Sequence, residues 1–288
     1  MPITGIDHIM LAVGDLTAAA DELASSMGLL ADRHAVHPAF GTANRVTRVP
    51  GLYLELITVT DREMAAGWHV GQRMVEVLAD GGGLLAFVLG ARDLVATVDE
   101  LTATGLPIDE PFGGSGVRDD GSTIRSFWIA GHGEEFRAGR LPSLIEYGQP
   151  GEDDPVPATL GYRLRGLARV DVAVSDLDDG IDRYTTLFGT APVRGADLVL
   201  DVPTAEFTLP DRRTVRLIGP GPAKREGLFG IALGVADLDE ALDAALARGV
   251  GSTPTGVDGE VLLDSTRTLN ARISLLATQE RFATPAQG

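Results

Sequence analysis

GIDHIMLAVGDL, residues 5–16, carries the pattern on which the fold turns: an apolar run of strand length, then Gly-Asp-Leu, then apolar residues at helical spacing. The same opening returns as LLAFVLGARDL (84–94), LARVDVAVSDL (167–177) and LFGIALGVADL (228–238). A repeat of this kind means one supersecondary unit used four times. The aspartates Asp15, Asp93, Asp176 and Asp237 are read as helix N-caps, accepting orphan backbone N–H groups and complementing the dipole. Glycines Gly28, Gly105, Gly189 and Gly249 suit the left-handed position after each helix. Strand-like segments follow, such as GTANRVTRVPGLYLELITV and LPSLIEYG, so the unit is βα followed by two or three more strands. A curved sheet with its helix on the convex side cannot bury both faces alone, and two units must pair.

Four units give two domains, 1–150 and 163–280, joined by a Gly-, Pro- and acid-rich linker at 151–162 and followed by a tail at 281–288. Two domains also suit 288 residues. REMAAGWHVGQRMVEVLADGGG (62–83) reads as a surface helix with a Gly-rich stop. The net charge of −17, with Lys224 the only lysine, repels phosphate backbones and anionic headgroups, so neither nucleic acid nor a membrane surface is an expected partner. No cysteine is present, which removes disulfides, thiolate metal sites and cysteine nucleophiles. Without an apolar run of about 18 residues or a basic leader at the start, the expectation is a soluble cytoplasmic protein, monomer or homodimer.

Paired βαβββ units with DHIMLAVGDL at the start, HPAFGTANR (37–45), YLELI (53–57) and LPSLIEYG (141–148) resemble the vicinal oxygen chelate superfamily, in particular its glyoxalase-like branch. The resemblance is good over 1–150 and one of pattern over 163–280. It implies an α+β fold of two glyoxalase-like domains whose curved mixed sheets form cups. It also implies a divalent metal (Mn, Fe, Co, Ni or Zn) held by first and last strands of paired units. Carried onto this sequence, the ligand positions are His8, Glu55 and Glu146, with Ala86 where many metal-using relatives have a second His.

Strand parity is an independent guide. On 6–13, Ile6, His8, Met10 and Ala12 share one face and Ile9, Leu11 and Val13 the other, which should meet the helix. Tyr53, Glu55 and Ile57 should likewise face the cup. With Leu144 and Glu146 set against Ile145 and Tyr147, the reading puts His8, Glu55 and Glu146 in one concavity. A carboxylate within such apolar strands needs a cation, a donor or a proton. The bland alternatives are His8 hydrogen-bonded in a polar cup, Glu55 paired to an arginine such as Arg45, and Glu146 protonated or solvated. Asn44, Arg45, Arg125 and Trp128 are candidate substrate contacts, and Glu55 and Glu146 candidate catalytic carboxylates. In the second domain Arg169 and Arg216 repeat the spacing of His8 and Glu55, which suits a degenerate partner or an anion site.

The expected function is an enzyme acting on a small oxygenated substrate in the N-terminal cup, with metal-assisted isomerase or lyase chemistry. The missing second His ranks a ring-cleaving dioxygenase lower. The rival is a metal-free small-molecule binding or drug-sequestering protein of the same fold.

Overall fold

The computed structural model describes residues 3–118, 120–148 and 162–279, apart from the side chains of Asp32 and Arg33. The expected linker, except Tyr162, and the expected tail lie outside the described residues. The first unit is β1 (Ile3–Ala12), α1 (Leu16–Met27), β2 (Ala31–His37), β3 (Thr42–Val49) and β4 (Leu52–Val59). Two helices follow, α2 (Arg62–Ala66) and α3 (His69–Ala79). The second unit is β5 (Gly83–Ala91), α4 (Leu94–Ala103), β6 (Phe112–Val117), β7 (Thr123–Ala130), α5 (Glu134–Arg137) and β8 (Ser143–Tyr147). The third is β9 (Leu164–Ala173), α6 (Leu177–Phe188), β10 (Val193–Asp197), β11 (Val202–Thr208) and β12 (Thr214–Ile218). The fourth is β13 (Gly227–Val235), α7 (Leu238–Ala247), β14 (Ser252–Pro254), β15 (Glu260–Leu263) and β16 (Ile273–Ala277).

The repeat therefore folds as four βαβββ units in two eight-stranded mixed sheets, an α+β fold of two glyoxalase-like domains. The first sheet closes into a barrel in the order β1-β4-β3-β2-β6-β7-β8-β5; the second runs β10-β11-β12-β9-β13-β16-β15-β14. Local chemistry explains why the units repeat. Asp15, Asp93, Asp176 and Asp237 each cap a helix through the side chain, accepting from backbone N–H groups of the first turn. Gly28 ends α1 at φ 68°, a left-handed conformation that costs a residue with a Cβ.

One feature of the strands is absent from the sequence pattern. Each unit's first strand skips a residue in its pairing with its sister strand: Asp7 on β1, Leu85 on β5, Ala168 on β9 and Phe229 on β13. A bulge reverses parity on its far side. Ile6 accordingly packs with Ile9 and Leu11 in the large apolar cluster that runs through both sheets, rather than sharing the cup face with His8 as the alternation predicts. The segment 62–83 also differs from a surface helix. Val70, Met74 and Val77 are buried with Met10, Ile57 and Ile145, so α3 closes against the inside of the barrel. No described helix is long and apolar enough to cross a membrane.

Candidate functional site

The barrel holds a cavity lined mainly by apolar side chains, with polar groups from β1, β2, β3, β4, β7 and β8. At its centre is Glu55, only 6% exposed. The carboxylate Oε1 accepts from Asn44 Nδ2 at 2.5 Å, and Oε2 lies 3.5 Å from His8 Nε2. His8 in turn donates from Nδ1 to Asp7 Oδ1 at 2.7 Å, which fixes its ring and tautomer on that side. The bulge at Asp7 is what brings consecutive residues of one strand into this contact.

Asp7 Oδ1 also accepts from the Tyr147 hydroxyl at 2.8 Å, and the Tyr53 hydroxyl lies 2.9 Å from that of Tyr147. Burial, reinforced by Asp7, pushes both phenols well above their ordinary value, so each remains an O–H donor. The His8 imidazole stacks on the Tyr53 ring with centroids 4.6 Å apart. His37, at the end of β2, lies 3.1 Å from Thr42 Oγ1 and 3.5 Å from Asn44 Nδ2. Burial lowers its pKa against the opposing pull of Glu55, which keeps the ring neutral.

His8, Glu55, Asn44 and Arg125 all line the cavity, and Arg125 stacks 3.6 Å over the Tyr147 ring. Three expected residues do not join them. Arg45 pairs opposite Leu56, whose side chain belongs to the outer core, so the alternation of β3 turns it away from Asn44 and from Glu55. Trp128 is 45% exposed and lies outside the barrel, where Phe127 and Ile129 line the inside instead. Glu146 accepts from the backbone N–H of Leu94 at 2.7 Å, at the start of α4, and it is Tyr147 that enters the cavity. Leu144 lies in the outer core, so the residue two further on shares its face. Asp7, Arg48, Tyr147 and Ser143 belong to the site without any motif in the chain to mark them. Strand register is the signal that finds the last of these. Met10 pairs with Glu55, its counterpart Val88 pairs with Ser143, and Ala232 pairs with Ser274 in the second sheet.

The fold family implies a divalent ion between paired units. At the four corresponding positions this chain places His8, Glu55, Ala86 and Ser143. Among the described residues no group of three or more His, Cys, Asp or Glu side chains is placed to hold an ion. Protein-held divalent sites ordinarily need at least three such donors, and here only two face the centre, His8 through Nε2 and Glu55 through the oxygen that Asn44 does not hold. The donor set does not fit the metal, and the expected His8, Glu55 and Glu146 triad is not assembled because Glu146 is on the other face.

In the second sheet Arg169 and Arg216 occupy the His8 and Glu55 positions, but acids from neighbouring positions answer both. Arg169 pairs with Asp171 at 2.8 Å and Glu260 at 2.7 Å; Arg216 pairs with Asp171 at 2.7 Å and faces Asp197 at 3.4 Å. Burial opposes ionisation of Asp171, yet the two arginines together hold its pKa below the ordinary value. These guanidiniums are internally neutralised rather than presented to an anion.

A family model described as "Glyoxalase-like domain" matches residues 6–188, and one described as "Glyoxalase/Bleomycin resistance protein/Dioxygenase superfamily" matches 166–259. No curated protein matches the chain in sequence. Among solved structures, a hypothetical protein from Staphylococcus aureus is 12% identical, with a TM-score of 0.68 over 95% of this chain and 99% of that one. A triple mutant of 4-hydroxymandelate synthase from Streptomyces coelicolor is 16% identical, with a TM-score of 0.66 over 97% and 94%. A xylose isomerase-like TIM barrel/4-hydroxyphenylpyruvate dioxygenase fusion protein is 13% identical, with a TM-score of 0.56 over 96% of this chain and 49% of that one. At these identities the likeness is one of fold.

Proposed function

Because the chain belongs to the glyoxalase-like domain family, we propose that its N-terminal barrel is an enzyme site that binds a small oxygenated molecule and moves a proton on it without a protein-held metal. The observation that carries this reading is Glu55, a carboxylate enclosed by apolar walls, oriented by Asn44 and faced by His8. A desolvated, oriented carboxylate is a competent base for a C–H proton next to a carbonyl. On this reading Glu55 takes the proton and the C–H electron pair becomes an enolate. The Tyr53 and Tyr147 hydroxyls, kept protonated by burial, line the same cavity as neutral donors. The proton then returns from the Glu55 and His8 side to the neighbouring carbon or oxygen of the enolate, the outcome of an isomerase, or a leaving group departs with its electron pair, as in a lyase.

The test is solvent exchange in D2O, read by NMR over a panel of small ketones, 2-oxo acids and 2-hydroxy acids, with protein dialysed against chelator. Wild-type protein is expected to wash deuterium into the carbon next to the carbonyl of its substrate, and Glu55→Gln to lose this by about 100-fold or more while still binding. The mainly apolar lining favours a second reading, a sequestering protein. Binding of a panel member, equal in wild type and Glu55→Gln and without any exchange, would replace the enzyme by the binder.

A further inference from the structure

Arg48 lines the cavity from β3, directly opposite Tyr53 in the strand register and so at the level of His8. Its side chain is half-buried, and among the described residues it has neither an acid partner nor a hydrogen bond. A guanidinium facing an apolar cavity loses hydration, and that loss is normally offset by a carboxylate. The second sheet shows how the fold does this when an arginine is structural: Arg169 and Arg216 are each closed by buried acids. Glu55 is the one carboxylate among the described cavity-lining residues, and Asn44 and His8 already hold it. Beyond Thr42, at the opposite end of β3, the wall is aromatic. Phe40 stacks near Trp68, with centroids 4.5 Å apart, and faces Phe127 at 6.3 Å.

We propose that Arg48 is an anion-recognition subsite and that the ligand is an organic carboxylate with an apolar or aromatic body. The carboxylate pairs with Arg48, the body lies toward Phe40, Trp68 and Phe127, and the carbon between them passes Glu55. This rests on the reading of the barrel as a small-molecule site and names its ligand class. The protein carries a net charge of −17, so the long-range field repels such a ligand, and its recognition has to be a short-range contact inside the barrel.

Calorimetric titration with ω-phenylalkanoates, from phenylpropanoate to phenyloctanoate, and with the matching uncharged amides tests the assignment. Wild-type protein is expected to bind at least one acid about tenfold or more tightly than its amide, the scale of a charge-assisted contact. Arg48→Met, which keeps the apolar stem of the side chain and removes the charge, is expected to bind acid and amide alike and at the affinity wild type has for the amide. Arg48→Lys is expected to restore part of the preference. A thermal melt unchanged from wild type establishes that the variants are folded; should Arg48→Met fail this, Arg48→Lys and Arg48→Gln carry the comparison. Equal affinity of wild type for acid and amide, a preference that survives loss of the guanidinium, or no binding of any member of the series overturns the assignment. Carboxylate preference without deuterium exchange on any substrate would leave the subsite standing and remove the proton-transfer function, so the two can fail separately.

Discussion

Replacing Arg213 with Met should separate the two halves of the molecule energetically. Arg213 sits between β11 and β12 and is 0% exposed. It crosses to the first barrel, donating to the carbonyl of Ile6 at 3.2 Å and of Gly51 at 2.8 Å, and it pairs with Asp211 at 2.6 Å. The same Asp211 carboxylate accepts from the N–H of Ile6 at 3.2 Å, an approach open only because residue 5 is glycine: a Cβ there would collide with it. Both polar groups of the residue before the Asp7 bulge are therefore satisfied from the other domain. Arg213→Met leaves two buried carbonyls without this donor and a buried carboxylate without its cation. Breaking a buried ion pair from one side costs about 3–5 kcal/mol, and two lost carbonyl contacts fall within that range rather than adding fully to it. With a urea m-value of about 3 kcal/mol/M, the midpoint should fall by roughly 1–1.7 M. Much of this comes from the stranded charge, so adding Asp211→Asn to Arg213→Met should recover a measurable part. A loss below about 1 kcal/mol, or a double variant no more stable than Arg213→Met alone, would refute the argument that this pair clamps the bulged strand.

Ala86→His combined with Ser143→Glu fills the two vacant donor positions opposite His8 and Glu55. The double variant is expected to take up Co(II) or Zn(II) near stoichiometrically by mass spectrometry, and wild type to take up neither. Stoichiometric metal in wild-type protein, lost in His8→Ala, would contradict the donor-set argument. Stability should also depend on His37, whose folded-state pKa lies below the ordinary 6.5 because of burial. Between those two values the unfolded chain binds more protons, so stability falls as pH drops below 6.5, by at most about 1.4 kcal/mol per pH unit from this one group. His37→Gln should flatten that part of a denaturation-midpoint profile; an unchanged slope would show that His37 titrates alike in both states.

Much of the architecture was legible because it rests on local chemistry. Four Asp-Leu caps, four glycine stops and alternating apolar strands state the βαβββ unit and its fourfold use without reference to any distant contact. Glu55 was also legible, since alternation within YLELI turns Leu54 and Leu56 to one face and leaves the acid on the other. Glu146 was misplaced by the same kind of rule. LIEY permits either face to be inner, and only the packing of Leu144 against the outer core settles which one is. Arg45 and Trp128 had the right residue types for a binding site and the wrong parity. Ile6 was assigned to the cup by an alternation that holds only on one side of Asp7.

What the sequence by itself determined is the sequence of elements, the pairing of units and the type of chemistry available to an acidic chain without cysteine, because capping, turn formation and periodicity act over a few residues. Only the tertiary structure decided which side chains meet. Bulges at Asp7, Leu85, Ala168 and Phe229 shift register by one residue, and the parity of a strand is blind to where that shift occurs. From that shift comes the Asp7 and His8 contact, whereas the correspondence of Ser143 with Glu55 comes from the unbroken parallel pairing of β5 with β8. The charges divide the same way: the arginines of both cups are visible in the chain, but whether a carboxylate answers them depends on residues brought from other strands, which closes Arg169 and Arg216 and leaves Arg48 facing the cavity.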